Sequence, residues 1–423
     1  MNLIKTSFLS ALETGIKLAS GFLVLKYLSI KTGPEGIATF GQFQNFVAAT
    51  TATCAGAFTT GLVRYVSESY KQGASRTYVE RATGFASLLL AIVALPLLLF
   101  PGSLSDLIFG TTDFAWAFIC LALAMPLGVL FQIALALLNG SGQVRELIIS
   151  KSASSLLLLA LSVLLVTFFG LAGGLASLVL APASAIIVAF LLLGRAPSQI
   201  DWTWFKPKLD TTGLRQFGPY WIMSMTTVVS TPVVLMLVRT SIGDQLGWTS
   251  AGYWEASWRI AELYLLVITT ALSVYYIPRL SQLAAGRQER RLVLKTVAFA
   301  SSTSAVLALG IYVLRDFVVA IMFSSDFLPV ADILAPQLLG SIVRIGCWVI
   351  AYHMIVRGKV ALMVLSELFF GFTLYASSVY LTHEVGLIGA SYAFLANALA
   401  YMCFSVLYYL LAIGRPRHKE MEQ

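Results

Sequence analysis

The chain has 423 residues, of which 58% are hydrophobic and only 11% charged, with a formal net charge of +8. A soluble domain carries about 25% charged residues, so an assembly of two or three soluble domains is excluded. Continuous apolar runs, rather than alternating ones, also exclude an outer-membrane β-barrel. The composition implies an all-α integral membrane protein.

A bilayer core of about 30 Å needs an apolar run of about 20 residues, and twelve such runs are predicted in chain order. They fall near 8–30, 38–65, 82–102, 114–138, 147–168 and 172–194, and then near 216–241, 253–277, 293–315, 333–356, 361–382 and 387–413. The first is interrupted by Glu13, Lys17 and Lys26 and lacks a small-residue cleavage site, so it reads as a span rather than a removable signal. A polar stretch with Pro197, Trp202, Trp204, Pro207 and Gly213 divides the two sets. The expected organisation is a six-helix lobe over 1–195, a cytoplasmic linker over 196–215, a second six-helix lobe over 216–414 and a tail over 415–423.

Basic residues set the orientation, because Lys and Arg accumulate in cytoplasmic loops. With both termini inside, 20 of the 28 Lys and Arg residues lie in inner loops, and only Lys31 and Arg315 in outer ones. This distribution accounts for the net positive charge without nucleic acid. Cys54, Cys120, Cys347 and Cys403 sit inside apolar runs with no metal-binding or disulfide spacing; they read as small buried apolar side chains.

The sequence repeats itself at an offset near 216. Phe109-Gly-Thr-Thr-Asp-Phe114 resembles Phe323-Ser-Ser-Asp-Phe327, and Gly142-Gln-Val144 matches Gly358-Lys-Val360. Phe169-Gly-Leu-Ala-Gly-Gly174 parallels Val385-Gly-Leu-Ile-Gly-Ala390, and each half closes on Gly-Arg followed by proline. Six spans per copy give both copies the same orientation. Parallel repeats of this kind imply two pseudo-symmetric bundles around a central cavity.

Five cations fall inside spans: Lys17, Lys26, Arg239, Arg259 and Arg344. A charge at mid-bilayer costs about 2.5–3.5 kcal/mol on insertion scales, so each needs water, a partner or an anionic substrate. Lys17 and Arg344 lie deepest. Lys26 and Arg239 occupy equivalent places in their halves, Arg239 ending the seventh span, where a long side chain reaches the headgroups. Four acids accompany them. Glu13 is one turn before Lys17, and Glu255 and Glu262 share a helix face with Arg259. Glu367 has no local partner and is the expected coupling group.

The surplus of interior cations points to a substrate with concentrated negative charge, such as phosphate or pyrophosphate. Aromatic residues around the same spans, among them Tyr220, Trp221, Trp254 and Trp348, are mostly expected in the interfacial belt, with some free to stack on sugars. No ATP-binding loop, zinc-protease motif or nucleophile elbow occurs, and no cofactor is expected. His353, His383 and His418 are scattered, and the longest outer loop, around 316–331, is too short for a catalytic domain. A transporter is favoured over a membrane enzyme acting on lipid-linked sugars.

Several stretches carry a family resemblance: Gly33-Pro-Glu-Gly36, Gly61-Leu-Val-Arg-Tyr-Val66, Ser273-Val-Tyr-Tyr-Ile-Pro-Arg-Leu-Ser281, Leu314-Arg-Asp-Phe317, and Gln337-Leu-Leu-Gly340 followed by Arg344. In order and spacing the chain resembles the Wzx-type lipid-linked oligosaccharide flippases of the multidrug/oligosaccharidyl-lipid/polysaccharide exporter superfamily, over essentially its whole length. The resemblance is to the lipid III (enterobacterial common antigen) type. It implies movement of an undecaprenyl-pyrophosphate oligosaccharide from the cytoplasmic to the periplasmic leaflet of a bacterial inner membrane, by alternating access, with ion or proton coupling in some members. It also implies a polysaccharide polymerase and a chain-length regulator as partners. Lys17, Lys26, Arg64, Arg239, Glu262, Asp332 and Glu367 match charged positions of that type, and Arg344 matches a lysine. Glu13, Glu255 and Arg259 stand where it carries uncharged residues, and Ser341 replaces an acid, so an O-antigen unit is as consistent a substrate as lipid III. A drug or cation antiporter of the same superfamily is the other transporter reading.

Overall fold

A computed structural model describes residues 3–70, 75–194, 202–283 and 286–413. Arg195 and the start of the expected linker, together with the tail at 415–423, lie outside the described residues. Helix accounts for nearly all of the rest, and no strand occurs among the described residues. In a bilayer this is the economical solution, since a helix satisfies its own backbone N–H and C=O groups.

The first half opens with α1 (Leu3–Thr51), which passes through a π-turn (Ala52–Gly56) into α2 (Ala57–Ser69). Then follow α3 (Ser75–Leu99), α4 (Pro101–Phe109), α5 (Ala115–Gly140) and α6 (Val144–Gly194). A 3-10 turn at Trp202–Phe205 leads to α7 (Thr211–Leu246) and α8 (Trp248–Ala271), and a second π-turn (Leu272–Tyr276) to α9 (Ile277–Gln282). The chain ends with α10 (Arg287–Val313), α11 (Arg315–Met322), α12 (Val330–Val356), α13 (Val360–Val385) and α14 (Ile388–Ile413). Eight helices among the described residues are long and apolar enough to cross a membrane.

Helix α1 is broken at Gly33, whose φ of 65° and ψ of −166° leave the helical region. The next residue is Pro34, which disfavours the α conformation in its predecessor, and only glycine takes this φ without strain. Two other differences from the sequence expectation concern span ends. The stretches 101–109 and 315–322, read as loop, form the short helices α4 and α11, the former with proline in its first turn, a position that proline tolerates. Helix α7 runs on to Leu246, so Arg239 does not end it but lies seven residues inside. The cysteines divide as well: Cys54 and Cys347 are buried, whereas Cys120 and Cys403 are exposed on apolar helices, contrary to the uniform burial expected.

The same backbone punctuation recurs in the two halves. After α5, Gly142 (φ 73°) lets its N–H bond the Asn139 carbonyl at 3.1 Å while Gln143 N–H bonds Leu138 at 2.9 Å. After α12, Gly358 (φ 71°) bonds Ile355 at 3.0 Å and Lys359 bonds Met354 at 2.8 Å. Both are Schellman closures, which satisfy the last carbonyls of a helix and need a left-handed residue. Gly170 and Gly386 carry positive φ at the equivalent later break, and the π-turns fall at 52–56 and 272–276.

The chain divides into two compact units, Met1–Met236 with Met322–Ser324, and Leu237–Ile321 with Ser325–Gln423. In the first, α5 packs against α3 and α6, and α6 against α1; Phe43 meets Phe118 edge to face within it, and Phe109 packs against both at tilted angles. In the second, α12 is the central helix, packed by α8, α10 and α14.

The start of α7 is fixed to the first unit by polar contacts. Lys208 N–H bonds the Glu80 carbonyl at 3.0 Å, and its own carbonyl lies against Gly84. A Cβ at Gly84 would come within 2.2 Å of that oxygen. Asp210 caps α7, its Oδ1 accepting from Gly213 N–H at 2.6 Å, and its Oδ2 pairs with Arg81 at 3.0 Å. The Gly213 amide, and after it Arg81, hold the Asp210 carboxyl below the usual carboxylate range. A depressed pKa means the stabilisation is present above the unfolded value and is lost as pH falls through the lower folded one. Asp210→Ala is therefore expected to lower the melting temperature of the purified protein at pH 7. That difference should shrink on acidification below the ordinary aspartate range, as followed by thermal melts across pH.

Candidate functional site

The five intramembrane cations meet four different fates. Lys17 on α1 is exposed and makes no ion pair among the described residues; in particular it does not bond Glu13, although the two are one turn apart. Lys26, half-buried on the same helix, donates from Nζ to the Phe323 carbonyl at 2.6 Å. Beside it, Ser324 Oγ donates to the Ser29 carbonyl at 3.3 Å, so the segment Met322–Ser324 lies along α1 in the first unit.

In the second unit, Arg239 and Glu255 form a fully buried, closely hydrogen-bonded pair. Glu255 also accepts from Arg259 Nε at 2.8 Å, and Arg259 reaches Glu262 at 3.4 Å. The result is an alternating ladder, Arg239–Glu255–Arg259–Glu262, running from a closed interior to an exposed carboxylate. Trp254 lies under the Arg239 guanidinium, 5.7 Å from its centre, a cation–π contact. The i, i+4, i+7 spacing on α8 brings the last three together; Arg239 joins them from α7.

Arg344, half-buried on α12, contacts Asn397 Oδ1 at 3.5 Å and lies over the Tyr401 ring at 5.6 Å. Asn397 is itself anchored by donating to the Phe370 carbonyl at 2.8 Å and to Thr373 at 2.9 Å. Glu367 on α13 is an electrostatic neighbour of Arg344 but forms no ion pair with it, and its buried Oε2 has no hydrogen-bond partner. Among the described residues, Arg344 thus makes no direct contact with a carboxylate.

One cluster escaped the sequence reading. Glu289, in the first turn of α10, is buried and accepts from His353 Nε2 at 3.0 Å and Arg357 Nε at 2.9 Å. Arg357 also donates to the Leu283 carbonyl at 2.9 Å, and Tyr408 approaches His353 Nδ1 at 3.3 Å. An acid at a helix N-terminus opposite a cation, Arg357, at a helix C-terminus matches both dipoles. Its partners are 64 and 68 residues apart in sequence, so local spacing carried no signal.

A helical chain of this layout, with isolated cations inside apolar helices, has the fold of a multi-pass membrane transporter. Solved structures share it: an inward-facing multidrug resistance MATE family transporter of the MOP superfamily aligns with a TM-score of 0.78 at 14% identity, covering 95% of this chain and 94% of that one. The lipid II flippase MurJ, in an inward closed conformation, aligns with a TM-score of 0.70 at 16% identity, covering 96% and 87%. At these identities the likeness concerns the fold alone. The model of the polysaccharide biosynthesis protein family matches residues 54–332, and the chain belongs to that family. Over 416 residues it is 26% identical to proteins named lipid III flippase from Escherichia coli (strain K12) and Shigella flexneri, covering 97% of this chain and 99% of each relative.

The ladder makes a direct prediction. Breaking a buried ion pair by removing one partner costs about 3–5 kcal/mol, whereas replacing both with apolar residues is often neutral. Arg239→Met should sharply lower the melting temperature, and the double change Arg239→Met, Glu255→Leu should not restore it fully, because Arg259 then loses the nearer of its two carboxylates and keeps only the exposed Glu262. Thermal melts of the single and double variants check both expectations.

Proposed function

We propose that this chain is a flippase that carries an undecaprenyl-pyrophosphate-linked oligosaccharide from the cytoplasmic to the periplasmic leaflet of a bacterial inner membrane. The end-to-end similarity to lipid III flippases carries the reading. Lys17 and Arg344 support it: both are cations in apolar helices without a carboxylate partner, the state expected of groups that meet an anionic pyrophosphate. Lys26, Arg239 and Arg259 complete the proposed cationic set. Arg239 and Arg259 reach it through the ladder with Glu255 and Glu262, which hold the guanidinium of Arg259 in place.

In this reading the chain crosses the membrane twelve times, six spans in each half, with both termini on the cytoplasmic side. The headgroup site is exposed to each face in turn. Glu367 is the coupling group, and Glu13, one turn from Lys17 without bonding it, is a second candidate for coupling. Products of such a flippase pass to a polymerase and a chain-length regulator. The MATE neighbour that shares the fold is a multidrug resistance transporter, and an exporter of cationic drugs would be served by unpaired acids rather than unpaired cations.

Reconstitution tests the assignment. In proteoliposomes the wild type should move a labelled undecaprenyl-pyrophosphate oligosaccharide between leaflets, and Lys17→Ala with Arg344→Ala should abolish this at normal protein levels. Efflux of a cationic dye without lipid movement would transfer the chain to the drug-exporter class. Glu367→Gln should blunt the response of translocation to an imposed pH gradient, and an unaltered response removes Glu367 from coupling.

A further inference from the structure

The end of α2 and the starts of α3 and α7, all in the first unit, build an aromatic wall whose chemistry the cationic set does not use. Tyr65 of α2 and Tyr78 of α3 stack in parallel, with ring centres 5.2 Å apart and an interplanar angle of 2°. Tyr220 of α7 meets Tyr65 edge to face at 6.1 Å and 79°. All three rings are half-buried. Behind them Phe217, fully buried, meets Tyr65 edge-on at 5.8 Å and packs on Phe58 at 5.6 Å. The rings therefore rest on a rigid apolar base.

The position of Tyr220 is set twice over. Its ring lies directly on the α2 backbone at Gly61, where a Cβ would come within 2.8 Å of it. Trp221, the next residue, donates from its indole nitrogen to the Thr53 carbonyl at 2.8 Å. Thr53 lies in the π-turn, where the helical hydrogen-bond ladder is interrupted and a carbonyl is released for such use. Docking of Lys208 and Asp210 onto α3 delivers α7 to this place.

Against the wall stands a polar fork. Arg64 donates from Nε to Glu68 at 2.9 Å and from NH1 to the Tyr220 hydroxyl at 3.0 Å. The side chains of Arg64 and Glu68 are 64% and 58% exposed. A guanidinium has five N–H donors and a carboxylate about four acceptor sites, so most of both remain available, already oriented. An exposed ion pair contributes little to stability, which leaves its immobilisation on Tyr220 without a structural purpose.

Charge decides what such a site takes. Arg64 and Glu68 cancel, so the fork does not favour a pyrophosphate as Lys17 and Arg344 do. Aromatic faces offer a negative surface to weakly positive C–H groups, and a donor–acceptor fork beside them suits vicinal hydroxyl or acetamido groups. That combination recognises a pyranose ring. We propose that Tyr78, Tyr220, Arg64 and Glu68 form a saccharide-binding wall for an uncharged pyranose of the lipid-linked substrate, separate from the cations that take its pyrophosphate. The proposal rests on the flippase reading for the source of the sugar, though not for the site itself.

Saturation-transfer NMR on the full chain in nanodiscs tests it, with N,N′-diacetylchitobiose as probe and inorganic pyrophosphate as competitor. The wild type should transfer saturation to the ring protons of the disaccharide, and pyrophosphate should not displace it. The double variant Arg64→Gln, Tyr78→Ala should weaken binding about ten-fold or more, given the size of charge-assisted hydrogen bonds and aromatic contacts. Tyr220→Phe, which keeps the ring and frees Arg64, should weaken it less, and thermal melts of all variants establish that they are folded. No transfer in the wild type, equal transfer in the folded double variant, or displacement by pyrophosphate would overturn the wall. A wild type that moves the lipid in proteoliposomes yet shows no transfer refutes the wall alone. A wild type that binds the disaccharide through these residues but moves no lipid refutes the flippase reading and supports the wall.

Discussion

Hydrocarbon offers no hydrogen bonds, and the rest of the structure follows from that constraint. Every backbone group has to be satisfied within the chain, which makes the described residues helical almost throughout; the breaks inside long helices fall at Gly33 and Gly170, and π-turns follow α1 and α8. Charge is governed by the same rule. Arg239 is tolerated at zero exposure because Glu255 meets it directly, and Glu255 in turn is shared with Arg259. Among the described residues Lys17 and Arg344 make no direct contact with a carboxylate, and Lys26 is met by a backbone carbonyl instead.

The helices on their own express simple patterns, and the sequence showed them well. Apolar runs coincide with the eight helices among the described residues that are long and apolar enough to span a membrane, and Gly142 and Gly358 stand at the two tight closures because only glycine accepts their φ without cost. The spacing of Glu255, Arg259 and Glu262 placed all three on one face of α8, as the hydrogen bonds now show. These features depend on neighbours within a turn or two.

Features that depend on distant neighbours were not legible. The apolar run around α7 stops near Arg239 while the helix continues to Leu246, and the partner of Arg239 sits on the following helix. Glu289, His353 and Arg357 meet across more than sixty residues. Lys26 binds a backbone carbonyl at Phe323, and a carbonyl has no residue identity to read. Tyr220 alone is visible in the sequence as a belt residue; its packing with Tyr65 and Tyr78, and the fork that Arg64 makes with Glu68 and Tyr220, arise only when α2, α3 and α7 are brought together.

The docking of residues 206–213 onto α3 has a bearing on how the molecule could be divided. Lys208 is bonded to Glu80, Asp210 to Arg81, and Gly84 is shaped to admit the passing backbone. A nick in the peptide upstream of Lys206 would leave all of these bonds on the downstream fragment intact. They would then act as a non-covalent clasp, so that two separately synthesised polypeptides divided there would carry the means to find each other. The seam between the repeats is thus fastened by its own hydrogen bonds as well as by the chain that joins them.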